Sequence, residues 1–282
     1  MFINRGWRRA NECGMNNVHM KAHFQWTERL CAAPLGLVGL LLWLLPTSAA
    51  ALVGPAREST DLAPYVVVVL NRNGTSASFC TGSVIAQDVV LTAAHCVSTP
   101  DDTRIYLAGA DSRPIMLEVA SVAINPGYRP DAIKRRLVSI DLALLRLAEP
   151  LPTSFAPVEL SKSAKAAVGQ SFRIAGFGVA SENAGGTGGV LRQGVLVASE
   201  PRSAILLWLT DPNRAGLGGC TGDSGAPVFT KDAPLLVAVA VWAKGDRGHL
   251  CGALTQAALV APQMDWVQNV LRAWSALGRP AP

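Results

Sequence analysis

The chain has 282 residues; half are hydrophobic, 16% are charged, and the net charge is +5. That composition supports a sizeable core and excludes a disordered chain, and the length allows one large domain or two small ones. No basic stripe interleaved with aromatics, CxxC pair, HExxH motif or GxxxxGK[ST] loop occurs, so nucleic-acid, metal and nucleotide chemistry have no support.

Residues 34–45 form an apolar run, preceded by Arg5, Arg8, Arg9, Lys21 and Arg29 and followed by Pro46-Thr47-Ser48 and Ala49-Ala50-Ala51. A basic region, an apolar core and a small-residue site make residues 1–51 a secretory signal peptide. The apolar core falls short of the roughly 20 residues of a membrane span. Counting on to Val53 lengthens it, so an uncleaved anchor is the alternative. Met15 and Met20 are alternative starts. Cleavage after Ala51 would free Leu52-Val53-Gly54 as the new amino terminus and remove Cys13 and Cys31, leaving four cysteines.

Tyr65 to Leu70 is short and β-branched and closes at Asn71-Arg72-Asn73-Gly74, a strand running into a turn. Phe79 to Ile85 and Val89 to Ala94 read as the next strands, the latter delivering His95, with Cys80 and Cys96 flanking the pair. Arg104 to Gly109 and Ile115 to Val122 are further strands, and Asn125-Pro126-Gly127-Tyr128-Arg129-Pro130 is a loop. Lys134-Arg135-Arg136 is a solvated run and a candidate nicking site. Asp141 opens the apolar stretch Leu142-Ala143-Leu144-Leu145, where a lone aspartate is by default a turn residue or cap.

Strands are expected at Val168 to Gly178, Leu191 to Ala198, Ser203 to Thr210 and Leu235 to Trp242. A flexible loop is expected at Gly185-Gly186-Thr187-Gly188-Gly189. Pro262 to Trp274 carries Met264, Val267, Val270, Leu271 and Trp274 at helical spacing, ended by Gly278-Arg279-Pro280.

The most informative stretch is Cys220-Thr221-Gly222-Asp223-Ser224-Gly225-Ala226-Pro227. Its glycines permit a tight turn that aims the N–H groups of Gly222 and Ser224 into one small volume, as a developing oxyanion requires. A serine hydroxyl needs a base to become a nucleophile. His95 and Asp141 supply a base and a carboxylate, in the chain order His, Asp, Ser. With Thr92-Ala93-Ala94-His95-Cys96 and Asp141-Leu142-Ala143-Leu144-Leu145, this stretch resembles the trypsin/chymotrypsin family of serine proteases over nearly all of residues 52–275.

The resemblance implies an all-β chymotrypsin fold of two antiparallel six-stranded β-barrels with a C-terminal helix. The peptidase domain would divide into barrels at 52–160 and 161–282. It also implies a secreted or periplasmic, monomeric endopeptidase without cofactor or metal, acting on polypeptides. No stable membrane association is expected once the leader is cleaved. In the implied site Ser224 is the nucleophile, His95 the general base and Asp141 its orienting partner, with the Gly222 and Ser224 N–H groups as oxyanion hole. Cys80–Cys96 and Cys220–Cys251 are the implied disulfides, and the Leu52 ammonium would pair with Asp223.

The implied substrate pocket involves Gly218, Gly219, Val241, Trp242, Ala243 and Gly252. With no carboxylate at Gly218 or Gly219, the pocket reads as neutral, taking a small or apolar side chain; Asp246 is the one acidic group near enough in sequence to alter that. Two positions depart from the family pattern. Val241 stands where a serine usually supports the buried aspartate, and Ala226 replaces a glycine. Two other readings remain at this level: a protease-like binding protein without activity, and a membrane-anchored protease that keeps its leader.

Overall fold

A computed structural model of the chain describes residues 52–108, 113–135, 137–182, 184 and 186–278. The leader read at residues 1–51 lies outside the described residues, as do Gly109, Arg136, Gly185 and the stretch 279–282.

Six strands form the first barrel: β1 (Val66–Asn73), β2 (Ser76–Ala86), β3 (Val89–Thr92), β4 (Thr103–Ala108), β5 (Pro114–Ile124) and β6 (Ala143–Leu147). They close in the order β1-β2-β3-β6-β5-β4, with β4 returning to β1. The strands form where the sequence supplies β-branched and apolar runs. Val66 to Val69, all of β3 and all of β6 are buried. The β1–β2 hairpin turns at Gly74, which holds φ +60°.

The second barrel repeats that connectivity with β7 (Ser171–Gly176), β8 (Arg192–Ala198), β9 (Leu206–Thr210), β10 (Pro227–Thr230), β11 (Leu235–Gly245) and β12 (Gly252–Leu259). Their order is β7-β8-β9-β12-β11-β10, closed by β10 on β7. Two short segments add to it: Arg57–Glu58 pairs with β8, and Glu159–Leu160 runs parallel to β11. The fold is thus two closed antiparallel six-stranded β-barrels followed by one C-terminal helix, Met264–Ala276. Val267 on that helix is buried, and Met264, Val270, Leu271 and Trp274 pack against the apolar core, as their spacing predicts.

The structure adds two strands that the sequence pattern did not indicate, β10 and β12. It also shortens others. Gly169 at φ +82° makes a turn, so the strand expected from Val168 begins at Ser171. Ser203 Oγ accepts the N–H groups of Ile205 and Leu206, holding a bend where a strand was expected to start.

One apolar cluster crosses between the barrels, joining residues of the first to Phe229, Leu236, Val239 and Ala258 of the second. Phe229 on β10 is fully buried, and its ring meets Tyr65 of the first barrel edge-on, with centroids 6.4 Å apart. Truncating it leaves a cavity at the junction. Phe229→Ala is therefore expected to lower unfolding stability by about 3–5 kcal/mol, measured by urea denaturation.

Candidate active site

His95 sits on the single 3-10 turn Ala94–Cys96 that follows β3, and Asp141 lies two residues before β6. Because β3 and β6 are paired neighbours, the two side chains meet at one end of the first barrel. Asp141 Oδ2 is 2.6 Å from His95 Nδ1, and Asp141 Oδ1 accepts the His95 backbone N–H at 3.0 Å. Both carboxylate oxygens therefore serve the same histidine. With Nδ1–H donating to Asp141, Nε2 is left as the acceptor, the tautomer a general base needs. Tyr128, on the neighbouring loop, has its phenol raised above its ordinary range by burial and then by the Asp141 charge.

Ser224 lines the same cleft as His95 and Asp141, a space of about 910 Å³. Among the described residues His95 hydrogen-bonds to Asp141, and no such bond joins it to Ser224 Oγ; contacts of this kind commonly tighten only with substrate in place. Gly222 holds φ +92°, and a Cβ there would lie 2.3 Å from the Phe79 ring, so only glycine fits. The N–H groups of Gly222 and Ser224 make no hydrogen bond within the described chain, whereas the carbonyls of both are held. Thr81 donates its N–H to Ser224 O at 2.8 Å and its hydroxyl to Gly222 O at 2.9 Å, while its Oγ1 accepts the Phe177 N–H. Thr81 is thus a strut from β2 of the first barrel to the serine loop, and the motif pattern did not single it out.

Of the expected pocket residues, Val241, Trp242 and Ala243 line the cleft, and Gly219, Trp242 and Ala243 also line a second, much smaller space beside Ser224. Gly218 and Gly252 line neither. They pack on each other, and a Cβ on Gly218 would lie 3.0 Å from Gly252 Cα. Asp246 is 61% exposed and pairs with Arg247. Glu182, absent from the sequence-level candidates, accepts the N–H groups of Leu250 and Cys251 at 2.8 and 2.7 Å and so fixes the loop forming that wall. Those donors, Leu250 first, hold its carboxyl below the usual range.

The structure forms both expected disulfides, Cys80–Cys96 and Cys220–Cys251. Two clusters, Cys80/His95/Cys96 and Glu182/Cys220/Cys251, have the proximity of metal ligands. Every cysteine in them is bridged, and a bridged sulfur offers no thiolate to a metal.

Leu52 is fully buried in the core of the second barrel, and Val53 pairs with Gly218 through two backbone hydrogen bonds of 3.2 and 3.3 Å. The segment thus runs beside the serine loop. Asp223 is 2% exposed there, accepting the N–H groups of Gly178 and Cys220 at 2.9 Å each, with no cation beside it among the described residues. Burial pushes its carboxyl from 3.8 up to about 7.

A double barrel with a histidine–carboxylate pair facing a serine across one cleft defines a serine-hydrolase architecture. The comparisons make this specific. The model of the Trypsin family matches residues 52–267. A trypsin-like protease of Streptomyces glaucescens is 29% identical over 223 residues, covering 70% of this chain and 75% of the relative. Trypsin eta of Drosophila melanogaster is 29% identical over 233 residues, covering 77% and 87%. The crystal structure of a scabies mite inactivated protease paralogue superposes with a TM-score of 0.63 at 20% identity, over 77% of this chain and 99% of that one. The chain belongs to the trypsin family of serine proteases.

While Leu52 remains joined to Ala51, the folded chain holds the Asp223 proton more tightly than the unfolded chain does. The resulting stabilisation is complete below about pH 4 and lost as pH rises through about 7. In a leader-bearing Ser224→Ala protein, urea midpoints are expected to fall across that window, and Asp223→Asn is expected to flatten the slope.

Proposed function

We propose that the chain is an exported serine endopeptidase in which Ser224, His95 and Asp141 act as nucleophile, general base and orienting carboxylate. The observation that carries this reading is the Asp141–His95 pair, opening onto the cleft that Ser224 lines. Ser224 Oγ attacks a peptide carbonyl as His95 Nε2 takes its proton, and the Gly222 and Ser224 N–H groups receive the oxyanion. Collapse breaks the C–N bond, with His95 returning the proton to the departing amine. Water then adds to the acyl-serine, giving its proton to His95 and its hydroxyl to the acyl group, and Ser224 regains its proton.

The pocket is neutral in this reading, since the only carboxylate on the space beside Ser224 belongs to Asp223, which is bonded to backbone N–H groups. Export to an oxidising compartment, extracellular or periplasmic, agrees with two disulfides. Cleavage after Ala51 would place a free ammonium on Leu52, whose burial next to the serine loop makes it the natural cation for Asp223. Leader removal alone would then complete the site. The enzyme acts as a monomer on polypeptides, with the peptidase domain divided at about residue 160.

Fluorophosphonate labelling of the purified mature protein, with mass mapping of the label and of the amino terminus, tests this reading. The expected result is label on Ser224, lost in His95→Ala, and a terminus at Leu52. Asp141→Asn is expected to lower kcat by about 10⁴-fold. A folded, disulfide-bonded chain that begins at Leu52 and takes no label would instead be a binding protein.

A further inference from the structure

The two N–H groups that would receive the oxyanion belong to the peptides Thr221–Gly222 and Asp223–Ser224. A peptide unit is planar, so each N–H turns only with the torsions beside it. Gly222 holds φ +92°, and a glycine has little steric bias of its own to stay there. The direction of these donors therefore has to be fixed from outside the turn. Thr81 does this at two points. Its hydroxyl donates to Gly222 O at 2.9 Å and its N–H to Ser224 O at 2.8 Å. The Asp223–Ser224 peptide is thus bracketed by two held carbonyls, and the Gly222 N–H lies on the same residue as the first of them.

The hydroxyl is itself directed. Thr81 Oγ1 accepts the Phe177 N–H at 3.1 Å, and its one proton goes to Gly222 O. Thr81 is fully buried, and its carbonyl accepts the Thr92 hydroxyl at 2.7 Å. Thr92 is fully buried as well and closes β3, ahead of the turn that carries His95. The serine loop lies directly on this pair: a Cβ on Gly225 would be 1.9 Å from Thr81 O and 2.2 Å from Thr92 Oγ1. Phe79 is on the same face of β2 as Thr81, since side chains alternate along a strand, and its ring packs against Gly222. A buried chain of hydrogen bonds therefore runs from the strand that delivers His95 to the peptides on either side of the Ser224 N–H.

We infer that Thr81 is a positioning residue for acyl transfer: its hydroxyl, steadied by Phe177 and Thr92, keeps the Gly222 and Ser224 N–H groups aimed at the point where the oxyanion forms, an inference that rests on the endopeptidase reading. Thr81 is buried and does not itself reach the substrate. Without its hydroxyl, Gly222 O and the Phe177 N–H lose their partner, and a buried polar group left unpaired draws the turn towards another one. A shift of about 1 Å in the donors is enough to cost about a hundredfold in rate. These donors act on the oxyanion and not on the bound ester or peptide, so the loss falls on the maximal rate and leaves KM nearly unchanged.

The test uses mature protein whose Ser224 has first been shown to take a fluorophosphonate. The substrate is 4-nitrophenyl acetate, which makes no demand on the pocket, and the burst of nitrophenol reads acylation of Ser224. Thr81→Val keeps the side chain's shape and lacks the hydroxyl; its maximal acylation rate is expected to fall about a hundredfold. The ester concentration for half-maximal rate and the pH midpoint set by His95 are expected to stay where they are. Thr81→Ser retains the hydroxyl and is expected to keep most of the wild-type rate. Thr81→Ala also lacks the hydroxyl, and it decides the matter if Thr81→Val does not fold. A folded hydroxyl-free variant that acylates at the wild-type rate overturns the inference. So does one whose pH midpoint moves, or a Thr81→Ser protein that falls as far as Thr81→Val. Each of these leaves the endopeptidase reading standing. A folded mature wild-type chain that takes no label overturns both.

Discussion

The Asp223 carboxylate lies at the centre of the serine loop, 2% exposed and satisfied by only two backbone N–H groups. A buried carboxylate is costly unless it finds donors or a cation, and the local structure is arranged to supply donors. The loop wraps so that Cys220 N–H reaches forward three residues to it, and β7 runs on so that Gly178 N–H also meets it. Gly176 and Gly178 are glycines for the same reason, because a Cβ on either would lie 2.2–2.4 Å from the carboxylate. Ser224 follows directly in the chain, so whatever fixes Asp223 also fixes the serine and the neighbouring N–H groups. The buried Leu52 segment runs past the same place.

Much of this was legible in the sequence because it depends on local chemistry. The β-branched run at Val66–Val69, the histidine at the end of Val89–Thr92 and the glycine-bracketed Ser224 each announce their structure within a few residues. The C-terminal helix does so through the period of Met264, Val267, Val270, Leu271 and Trp274. Two strands were not legible. Pro227–Thr230 is four residues long, opens on a proline and follows directly from the serine turn, so it reads as part of that loop. Gly252–Leu259 is alanine-rich with a glutamine in mid-strand, a poor β-former alone. It is a strand because β9 and β11 flank it on both sides.

The missed site residues share a physical reason with that second strand. Thr255 touches Gly219 across 36 residues of chain, and Thr81 reaches Gly222 across 141. Each is an ordinary strand threonine until the register is known. Glu182 likewise reads as a loop acid until its oxygens are found on Leu250 and Cys251. Gly218 and Gly252, expected in the pocket, line neither space because their backbones pack on each other. An absent side chain marks a possible cavity only when the neighbouring backbone is held away.

Fold alone does not decide activity here, since the solved structures it matches include a protease paralogue described as inactivated. How His95, Asp141 and Ser224 are supported bears on it more directly. Val241 cannot donate a hydrogen bond to Asp141, and at 8% exposure it presents only methyl groups to that end of the cleft. Asp141 compensates by placing one oxygen on the His95 backbone and the other on the ring. A carboxylate held at two points of one residue orients the imidazole without a third partner. Asp141 also keeps one face towards the cleft, its side chain being 18% exposed. The supports differ in origin: the first barrel alone positions His95 and Asp141, whereas both barrels hold Ser224. Thr81 ties the two barrels together, spanning from β2 to the serine loop, so the placement of Ser224 relative to His95 depends on a strand threonine that belongs to neither motif.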